Sequence, residues 1–414
     1  MKVVILSHGH PMFSKGGGEY AAYHLWEGIN RLPGHEAWFI GRAGKEVMSE
    51  FGSLGIVGER DYLKAGAAEI GELTSTTSLD PDSDFADLIA SIDPDVVHFH
   101  HYVHLGIEPI RVIRNICPKA KIVLTLHEFI AICMNFGQMV KTDGKLCHHY
   151  SPRECSLCFR NKKPEDFFLR ERYIKSFFKL VDGFISPSSF LRERYLDWGL
   201  SKDNFAVIEN GLPEGDKVPP RRLFEGESRS RFAYFGQVNP FKGIDLVIEA
   251  IALLPKALRK QVTLDIYGAG LEHQPEAFRR RVENLVAECG KSVRMHGGYE
   301  PHELGRLMRE VDWVIMGSIW WENSPLVIQE AYKFGRPMIV PDIGGMAEKV
   351  KDGVTGLHFR ARDSVSLSSV IKRVVAEPGL YDRLVKQLPA YPEIGAITQE
   401  HLAFYNSLGA SRPA

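Results

Sequence analysis

Short apolar runs rich in β-branched and aromatic residues alternate with stretches of helical period along the whole chain. The first half contains six such runs, at 2–7, 36–41, 95–100, 121–127, 183–187 and 205–210. The second half contains five, at 231–236, 262–268, 293–297, 313–317 and 337–341. Runs of this length between turn residues are typical of buried strands. Their alternation with helical stretches predicts an α/β protein built on doubly wound parallel sheets.

A linker divides the predicted strands into two groups. Residues 211–230 are rich in Gly, Pro and charge and show no hydrophobic period. A chain of 414 residues also exceeds the size at which one hydrophobic core keeps growing. We therefore expect one domain at 1–212, a second at 213–395, and a terminal helix within 396–414 that returns toward the first domain.

The composition narrows the class of protein. With 44% hydrophobic and 25% charged residues, the chain has ordinary globular values, and its formal net charge is only −1. A protein whose partner is a nucleic acid normally carries a large basic excess, so no nucleic-acid partner is expected. The apolar run Val3 to Leu6 is too short for a signal peptide, and no window is long and apolar enough to span a membrane. These features predict a cytoplasmic protein with at most peripheral membrane contact.

The segment 320–337, directly after a predicted strand, carries the strongest candidate chemistry. Ser324 and Pro325 fit the N-cap and first turn of a helix. The free amides of the next residues, Leu326 and Val327, would then point into the crevice beyond the sheet. A diphosphate could dock at such a helix start.

Two carboxylates belong to this segment. Glu322 precedes the predicted helix and Glu330 lies within it, with seven residues between them. This spacing suits the sugar and the ribose of one nucleotide sugar. Alternatively, Glu322 is a capping carboxylate and Glu330 lies on a solvated helix face.

A second segment, 234–250, places Lys242 and Gly243 at a strand-to-helix turn that follows Gly236. A lysine and backbone amides at such a turn can neutralise phosphate charge. Surface lysines near helix starts are common, so this feature alone is weak.

Together the two segments resemble the retaining glycosyltransferases of family 4. In that family a Gly-Arg or Gly-Gln turn is followed five residues on by Lys-Gly, and later by Glu, seven residues and Glu-Ala. Further agreement is found at 16–25, 95–101, 124–128, 186–199, 207–213, 266–270 and 342–359. The resemblance covers nearly the whole chain and implies the GT-B fold, with two Rossmann-like domains facing each other across a cleft.

The resemblance implies roles for residues of the second domain. Lys242 would bind the donor diphosphate, Glu322 the sugar hydroxyls and Glu330 the ribose. The remaining donor-binding residues would be Asn323, Ser324, Leu326 and Val327 at the phosphate, and Gly270 and Tyr299 near the base. Gln237 replaces the phosphate-binding arginine of the family, which makes Lys242 more critical.

In the first domain, the resemblance implies that His127 faces the transferred sugar. Gly17 and Gly18 would let backbone approach both the donor phosphate and the acceptor. Without the resemblance, His127 is better interpreted as a core histidine at the end of a strand.

These roles predict a retaining hexosyltransferase. Its donor would be a nucleoside-diphosphate sugar, UDP preferred over GDP, and its acceptor a saccharide, a lipid-linked sugar or a small molecule. No catalytic cofactor is expected. The alternatives are a nucleotide-sugar epimerase of similar fold and an inactive nucleotide-sugar-binding protein.

Four of the six cysteines fall in one poorly periodic insertion at 129–163. Cys133, Cys147, Cys155 and Cys158 are separated by thirteen, seven and two residues. The closely spaced last pair suits a tetrahedral structural zinc, with His148 or His149 able to replace one ligand. Free thiols and disulfides are the alternatives.

Three further patterns have two interpretations each. His98, His100 and His101 resemble metal ligands but are better explained as partly buried residues at the rim of the sheet. The acidic run Asp80, Asp82 and Asp84 resembles a metal-binding motif, but it fits a loop with a helix cap.

Residues 160–179 carry seven basic and three acidic residues among five aromatic ones. This helix either rests on an anionic membrane or packs its aromatic residues inward.

Overall fold

The structure is a computed structural model that describes residues 1–14, 16–66, 82–215 and 217–409. Its internal contacts divide the chain into two compact units. The first contains Met1–Pro213 and the segment that begins at Pro392, and the second contains Glu214–Tyr391.

The first unit is built on an eight-stranded sheet. Its strands are β1 (Lys2–Ser7), β2 (Glu36–Ala43), β3 (Leu54–Gly58), β4 (Asp61–Ala65), β5 (Val96–Phe99), β6 (Lys121–Thr125), β7 (Gly183–Ser186) and β8 (Phe205–Val207). Their order is β3-β4-β2-β1-β5-β6-β7-β8. Every pair is parallel except β3 and β4, and Val3 of β1 lies opposite Val96 of β5.

Helices connect these strands. They are α1 (Gly17–Asn30), α2 (Lys45–Phe51), α3 (Asp84–Ile92), α4 (Pro109–Ile116), α5 (Pro152–Cys158), α6 (Pro164–Phe178) and α7 (Ser189–Asp197). Side-chain oxygens cap three of them at Ser83, Ser151 and Ser188. These caps satisfy amides that a helix start leaves open.

The second unit is built on a six-stranded parallel sheet. Its strands are β9 (Arg231–Phe235), β10 (Thr263–Tyr267), β11 (Val293–Gly297), β12 (Trp313–Ile315), β13 (Met338–Pro341) and β14 (Gly356–Phe359). Their order is β11-β10-β9-β12-β13-β14.

The helices of this unit are α8 (Ile244–Ala252), α9 (Lys256–Arg259), α10 (Glu276–Cys289), α11 (Leu304–Arg309), α12 (Leu326–Lys333), α13 (Gly344–Lys349), α14 (Ser364–Ala376) and α15 (Leu380–Val385). Short 3-10 turns occupy Pro240–Lys242, Leu271–His273, Gly290–Ser292 and Pro301–Glu303. The terminal helix α16 (Ile394–Ser407) belongs to the first unit, where Gly28 of α1 packs closely against Thr398.

Both faces of the second sheet are covered. Along β9, Phe232 and Tyr234 belong to one hydrophobic cluster, and Ala233 and Phe235 belong to another. Successive strand residues point to opposite faces, so two clusters are expected when helices pack on both sides. This layering confirms the predicted α/β, Rossmann-like class.

All eleven predicted runs contain strands, but three further strands were not predicted. β3 and β4 form at the edge of the first sheet, where Ile56 is exposed and glycines interrupt the hydrophobic pattern. β14 has only four residues. All three strands have five residues or fewer and mix glycine, charged or histidine residues with the apolar ones, so they leave only a weak pattern in the sequence.

Candidate functional site

In the second sheet, the connections that follow β9 and β12 lead to opposite sides of the sheet order. From β9 the chain continues outward through β10 and β11, and it then returns to form β12 on the other side of β9. Ligands of doubly wound sheets bind beyond the carboxyl ends of the strands at such a switch point. The loops that follow β9 and β12 carry Lys242 and Glu322, respectively.

The structure brings these two side chains into contact. Lys242 Nζ donates a hydrogen bond to Glu322 Oε1 at 2.6 Å. Two glycines permit this approach, because a Cβ at Gly243 would lie 2.0 Å from the carbonyl oxygen of Gly317. Gly243 also has φ of 61°, which favours glycine. The predicted cation and carboxylate therefore form one ion pair at the switch point.

Two further donors converge on the same carboxylate oxygen. Ser318 Oγ donates to Glu322 Oε1 at 2.7 Å, and Trp320 Nε1 donates to it at 3.1 Å. Glu322 is only 5% exposed, so these bonds offset the cost of burying its charge. Sequence reasoning missed Ser318 and Trp320. Their spacing of two residues from each other and from Glu322 is the available signal, since side chains at that spacing share one side of an extended loop.

The backbone of Glu322 and Asn323 packs tightly against the start of α13. Gly345 of α13 donates its amide to the Glu322 carbonyl at 2.7 Å. A Cβ at Gly345 would lie 1.5 Å from the Asn323 carbonyl oxygen, so any larger residue would displace this turn. The buried position of Asn323 is thus set by α13 as well as by its own loop.

The start of α12 differs from the prediction by one residue. Pro325 occupies the N-cap with extended backbone, and Leu326 and Val327 form the first turn. Ser324 therefore precedes the cap, because the extended backbone of Pro325 delays the helix. Within the described part of the chain, the buried Ser324 hydroxyl has no hydrogen-bond partner.

Glu330 lies one turn into α12 and is partly buried. Burial raises the pKa of its carboxyl to about 7, while Lys333 acts in the opposite direction. The charged and neutral forms of Glu330 are thus nearly balanced near neutral pH.

The remaining predicted donor residues occupy loops of the same sheet edge. Gln237 follows β9 and is exposed, and its carbonyl accepts a hydrogen bond from Tyr234 at 2.7 Å. Gly270 follows β10 with φ of 103°. Tyr299 follows β11 and packs edge to face on Phe235, with 5.5 Å between ring centroids.

In the first unit, His127 follows β6 and belongs to a cluster of histidines. Its Nε2 lies 3.2 Å from Nδ1 of His100. A Cβ at Gly18 would lie 3.8 Å from His127 and 3.2 Å from His8, so the start of α1 approaches both imidazoles. Gly17 is exposed at the first position of α1. Burial lowers the pKa of His127 well below its ordinary value, which keeps the imidazole neutral.

Two glutamates, Glu128 and Glu19, contact histidines at the border of this cluster. The Val103 amide donates to His101 Nδ1 at 2.9 Å, so His101 carries its proton on Nε2 and donates it to Glu128 Oε1 at 2.7 Å. Burial raises the pKa of Glu128 to about 8. His8 approaches Glu19 at 3.4 Å on the other side. The sequence prediction did not assign Glu128, although it directly follows His127.

The three neighbouring histidines are buried, not rim residues. His98 is completely buried and bonds both Tyr405 of α16 and Thr125, each at 2.7 Å. His100 and His101 are 3% and 7% exposed.

In the acidic run, Asp80 lies outside the described residues, and Ser83 caps α3 by accepting the Ala86 amide at 3.4 Å.

The four cysteines of the insertion line one small cavity together with Met139 and Phe167. They are free thiols, and burial raises the pKa of three of them, Cys133, Cys147 and Cys155. Within the described residues, no group of histidine, cysteine or acidic side chains is arranged to hold a metal ion. The structure therefore places the four cysteines together at one cavity, and metal analysis decides between the zinc and free-thiol interpretations.

The basic aromatic stretch forms α6, which buries most of its aromatic residues. Phe167, Phe177 and Phe178 face inward, whereas Phe168 is 47% exposed. Among the helices that the structure describes, none has both the length and the apolar character needed to cross a bilayer.

Comparison with known proteins identifies the family of the chain. Residues 220–389 match the family profile "Glycosyl transferases group 1", and residues 15–214 match "Glycosyltransferase Family 4". A lipopolysaccharide 1,2-N-acetylglucosaminetransferase of Salmonella typhimurium is 29% identical over 47% of this chain and 53% of its own. A D-inositol 3-phosphate glycosyltransferase of Frankia alni is 31% identical over 41% of this chain and 43% of its own. The matched region thus spans about half the length of these curated relatives.

Solved structures match the fold over nearly the whole chain. Sucrose-phosphate synthase from Thermosynechococcus elongatus has a TM-score of 0.71 and 19% identity, and 99% of each chain is covered. The Anabaena protein HepE, solved with UDP and glucose, has a TM-score of 0.67 and 18% identity, covering 99% of this chain and 100% of its own. The two Rossmann-like units and this similarity to solved structures assign the chain to the GT-B class of glycosyltransferases. Within that class, the chain belongs to glycosyltransferase family 4.

Proposed function

We propose that this protein is a retaining glycosyltransferase that moves a sugar from a nucleoside-diphosphate donor to an acceptor hydroxyl. A UDP-sugar is the proposed donor, in preference to a GDP-sugar, and HepE offers a precedent because it was solved with UDP and with UDP-glucose. The acceptor is proposed to be a saccharide, a lipid-linked sugar or a small molecule. The observation that carries the proposal is the contact between Lys242 and Glu322 at the switch point of the second sheet.

The second unit supplies complementary groups for each part of such a donor. Lys242 is 29% exposed, so its ammonium can reach a diphosphate while it remains next to Glu322. The first amides of α12, at Leu326 and Val327, offer donors and the positive end of a helix dipole. Glu322 is assigned to sugar hydroxyls and Glu330 to the ribose hydroxyls. Gln237, Gly270 and Tyr299 are assigned to the phosphate and base ends of the same ligand.

In the proposed reaction, the bond between the anomeric carbon and the leaving phosphate oxygen breaks as the acceptor oxygen bonds to the anomeric carbon. The transition state resembles an oxocarbenium ion, and negative charge grows on the departing diphosphate. Lys242 and the start of α12 stabilise that charge more than they stabilise the ground state. The acceptor proton passes to a phosphate oxygen on the same face, which needs no protein nucleophile and retains the anomeric configuration.

For the first unit, we assign His127 to the transferred sugar and Gly17 and Gly18 to close backbone approach. The low pKa of His127 supports the role of a neutral hydrogen-bonding group rather than a cation. The hydrogen bond to His100 fixes the plane of the ring and therefore the direction of its polar edge.

Product analysis tests the proposed function. The protein is incubated with UDP- and GDP-sugars, with and without a pool of candidate acceptors, and the sugar is followed by NMR. Transfer with retention of the anomeric configuration supports the proposal. Epimerised donor without an acceptor would instead establish the epimerase alternative, and nucleotide binding without turnover would establish an inactive binding protein. Thermal shifts with the same nucleotide panel rank the donors, because a ligand of the folded state raises its apparent stability.

A further inference from the structure

The outer surface of α5 and α6 in the first unit combines exposed apolar and basic side chains. We call the exposed set Leu157, Arg160, Lys163, Phe168, Leu169 and Arg172 the α5–α6 surface. Leu157, Phe168 and Leu169 are 74%, 47% and 61% exposed. Phe168 and Leu169 are adjacent in the chain, and adjacent apolar residues at such exposure on a monomer surface mark a contact site.

The inner face of α6 is already occupied. Phe167, Ile174, Phe177 and Phe178 are buried against the first unit, and Arg170 donates to the Ala131 carbonyl at 2.7 Å. The exposed residues Phe168, Leu169 and Arg172 repeat at helical spacing on the opposite side. The helix is therefore anchored by one face while the other is free to contact a partner.

The charge of this region is positive. Residues 151–179 contain eight basic and four acidic residues. Three of those acids are engaged within the protein: Glu154 pairs with Lys141 at 2.8 Å, Glu171 pairs with Lys175 at 2.5 Å, and Asp166 accepts the Lys163 amide at 2.8 Å. The fourth, Glu165, is exposed on the outer side of α6 and leaves the basic excess in place. Arg172 stacks on Phe168, with its guanidinium carbon 5.2 Å from the ring centroid. Basic and apolar groups thus lie side by side.

We propose that the α5–α6 surface docks on an anionic lipid bilayer. The apolar side chains would enter the boundary between headgroups and acyl chains, and the arginines and lysine would contact the headgroups. A second copy of the chain fits less well, because a self-contact would oppose like charges. Docking would bring the first unit to lipid-linked acceptors, but it does not depend on the proposed transferase activity.

Vesicle flotation of the full chain, without any sugar nucleotide, tests this proposal. The wild type is expected to float with vesicles that contain phosphatidylglycerol, not with pure phosphatidylcholine, and less at high salt. The double variants Phe168→Glu with Leu169→Glu, and Arg160→Gln with Arg172→Gln, should each bind the anionic vesicles about tenfold less tightly or worse. Because all four residues are exposed, circular dichroism and melting temperature should be unchanged.

A matched control is Val365→Glu, since Val365 is similarly exposed, at 64%, on α14 of the second unit. This variant should bind vesicles like the wild type. Three results would overturn the proposal: no flotation of the wild type, equal flotation of the apolar double variant, or self-association through Leu169 without vesicle binding. Vesicle binding by a protein without transferase activity would leave the proposal intact and refute only the proposed function.

Discussion

Lys242 and Glu322 are separated by 80 residues in the chain, yet the ammonium of one lies 2.6 Å from the carboxylate of the other. The contact joins the loops after two adjacent parallel strands, β9 and β12. A cation and a carboxylate held this close can contact the phosphate and the sugar on either side of one sugar–phosphate bond. In the proposed function, Lys242 acts on the diphosphate and Glu322 acts on the sugar.

Replacing Lys242 should remove stabilisation of the leaving diphosphate. We expect Lys242→Ala to lower kcat/KM by roughly 100-fold or more, as for loss of other charge-stabilising groups. Lys242→Arg keeps the charge and serves as the control, with a smaller loss. The measurement is nucleotide release at varied donor concentration, and near-normal turnover of the alanine variant would refute the assignment.

Ser318 is expected to act through Glu322. Removing its hydroxyl leaves the buried carboxylate with one donor fewer and free to rotate, and a hydrogen bond to a charged group is worth enough to change rates about tenfold. Ser318→Ala should therefore lower kcat/KM for the sugar donor by about tenfold. Trp320→Phe should have the same type of effect.

Binding of UDP alone separates this role from general damage to the fold. UDP lacks the sugar that Glu322 is proposed to hold, so its affinity for Ser318→Ala should equal that for the wild type. A parallel loss of UDP affinity would show that Ser318 supports the fold of the loop instead.

The raised pKa of Glu330 predicts pH-dependent nucleotide binding. Ribose hydroxyls would donate to the carboxylate and favour its charged form, so binding should release a proton near pH 7. From a pKa of about 7, UDP affinity should fall about tenfold between pH 8 and pH 6. Calorimetry in two buffers of different ionisation enthalpy measures the released proton. Glu330→Gln should bind more weakly and without buffer dependence, and a wild type without buffer dependence contradicts the role.

The buried histidines predict acid sensitivity of the first unit. His8, His101 and His401 have pKa values of about 4, and burial holds those of His98, His100 and His127 well below their ordinary value. The unfolded chain takes up protons near pH 6.5 and the folded one does not, so stability should fall as the pH drops from 6.5 toward 4. Glu128 in the first unit and Glu330 in the second have raised pKa values and oppose this trend, as two groups against six.

The melting temperature should be at least about 5 °C lower at pH 5 than at pH 7.5, since each kcal/mol shifts it by a few degrees. Calorimetric scans of the full chain provide the measurement. His401→Gln removes one of the titrating groups and should flatten the dependence. A melting temperature that stays constant over this range would show that the imidazoles are not held neutral.

The thiols of the insertion provide a test of the remaining metal hypothesis. From the free cysteines of the structure, we expect all six thiols to react in the denatured protein without reductant. Atomic absorption should then find zinc well below one ion per chain. One bound zinc per chain, lost when Cys155 and Cys158 are replaced by serine, would establish the site predicted from their spacing.

Several residues of the candidate site could be predicted from short segments of the sequence. Lys242, Glu322 and Glu330 stand in short segments that resemble motifs of the family, and the strand before each segment was predicted. Ser318 and Trp320 were missed because a serine and a tryptophan in a loop have no chemistry that points to them before their partner is known. The start of α12 was placed one residue early, since Ser324 and Pro325 match a helix start in composition while the backbone of Pro325 stays extended.

The sequence by itself determined the doubly wound α/β class, the buried strands and the residues that carry charge near their ends. Hydrophobic period and turn residues act over a few positions, and this local information suffices for them. Only the tertiary structure decided that β12 lies beside β9, that Gly243 packs on Gly317, and that three donors therefore meet at one oxygen of Glu322. Strand order is set by packing between distant segments, and no local pattern in the chain records it.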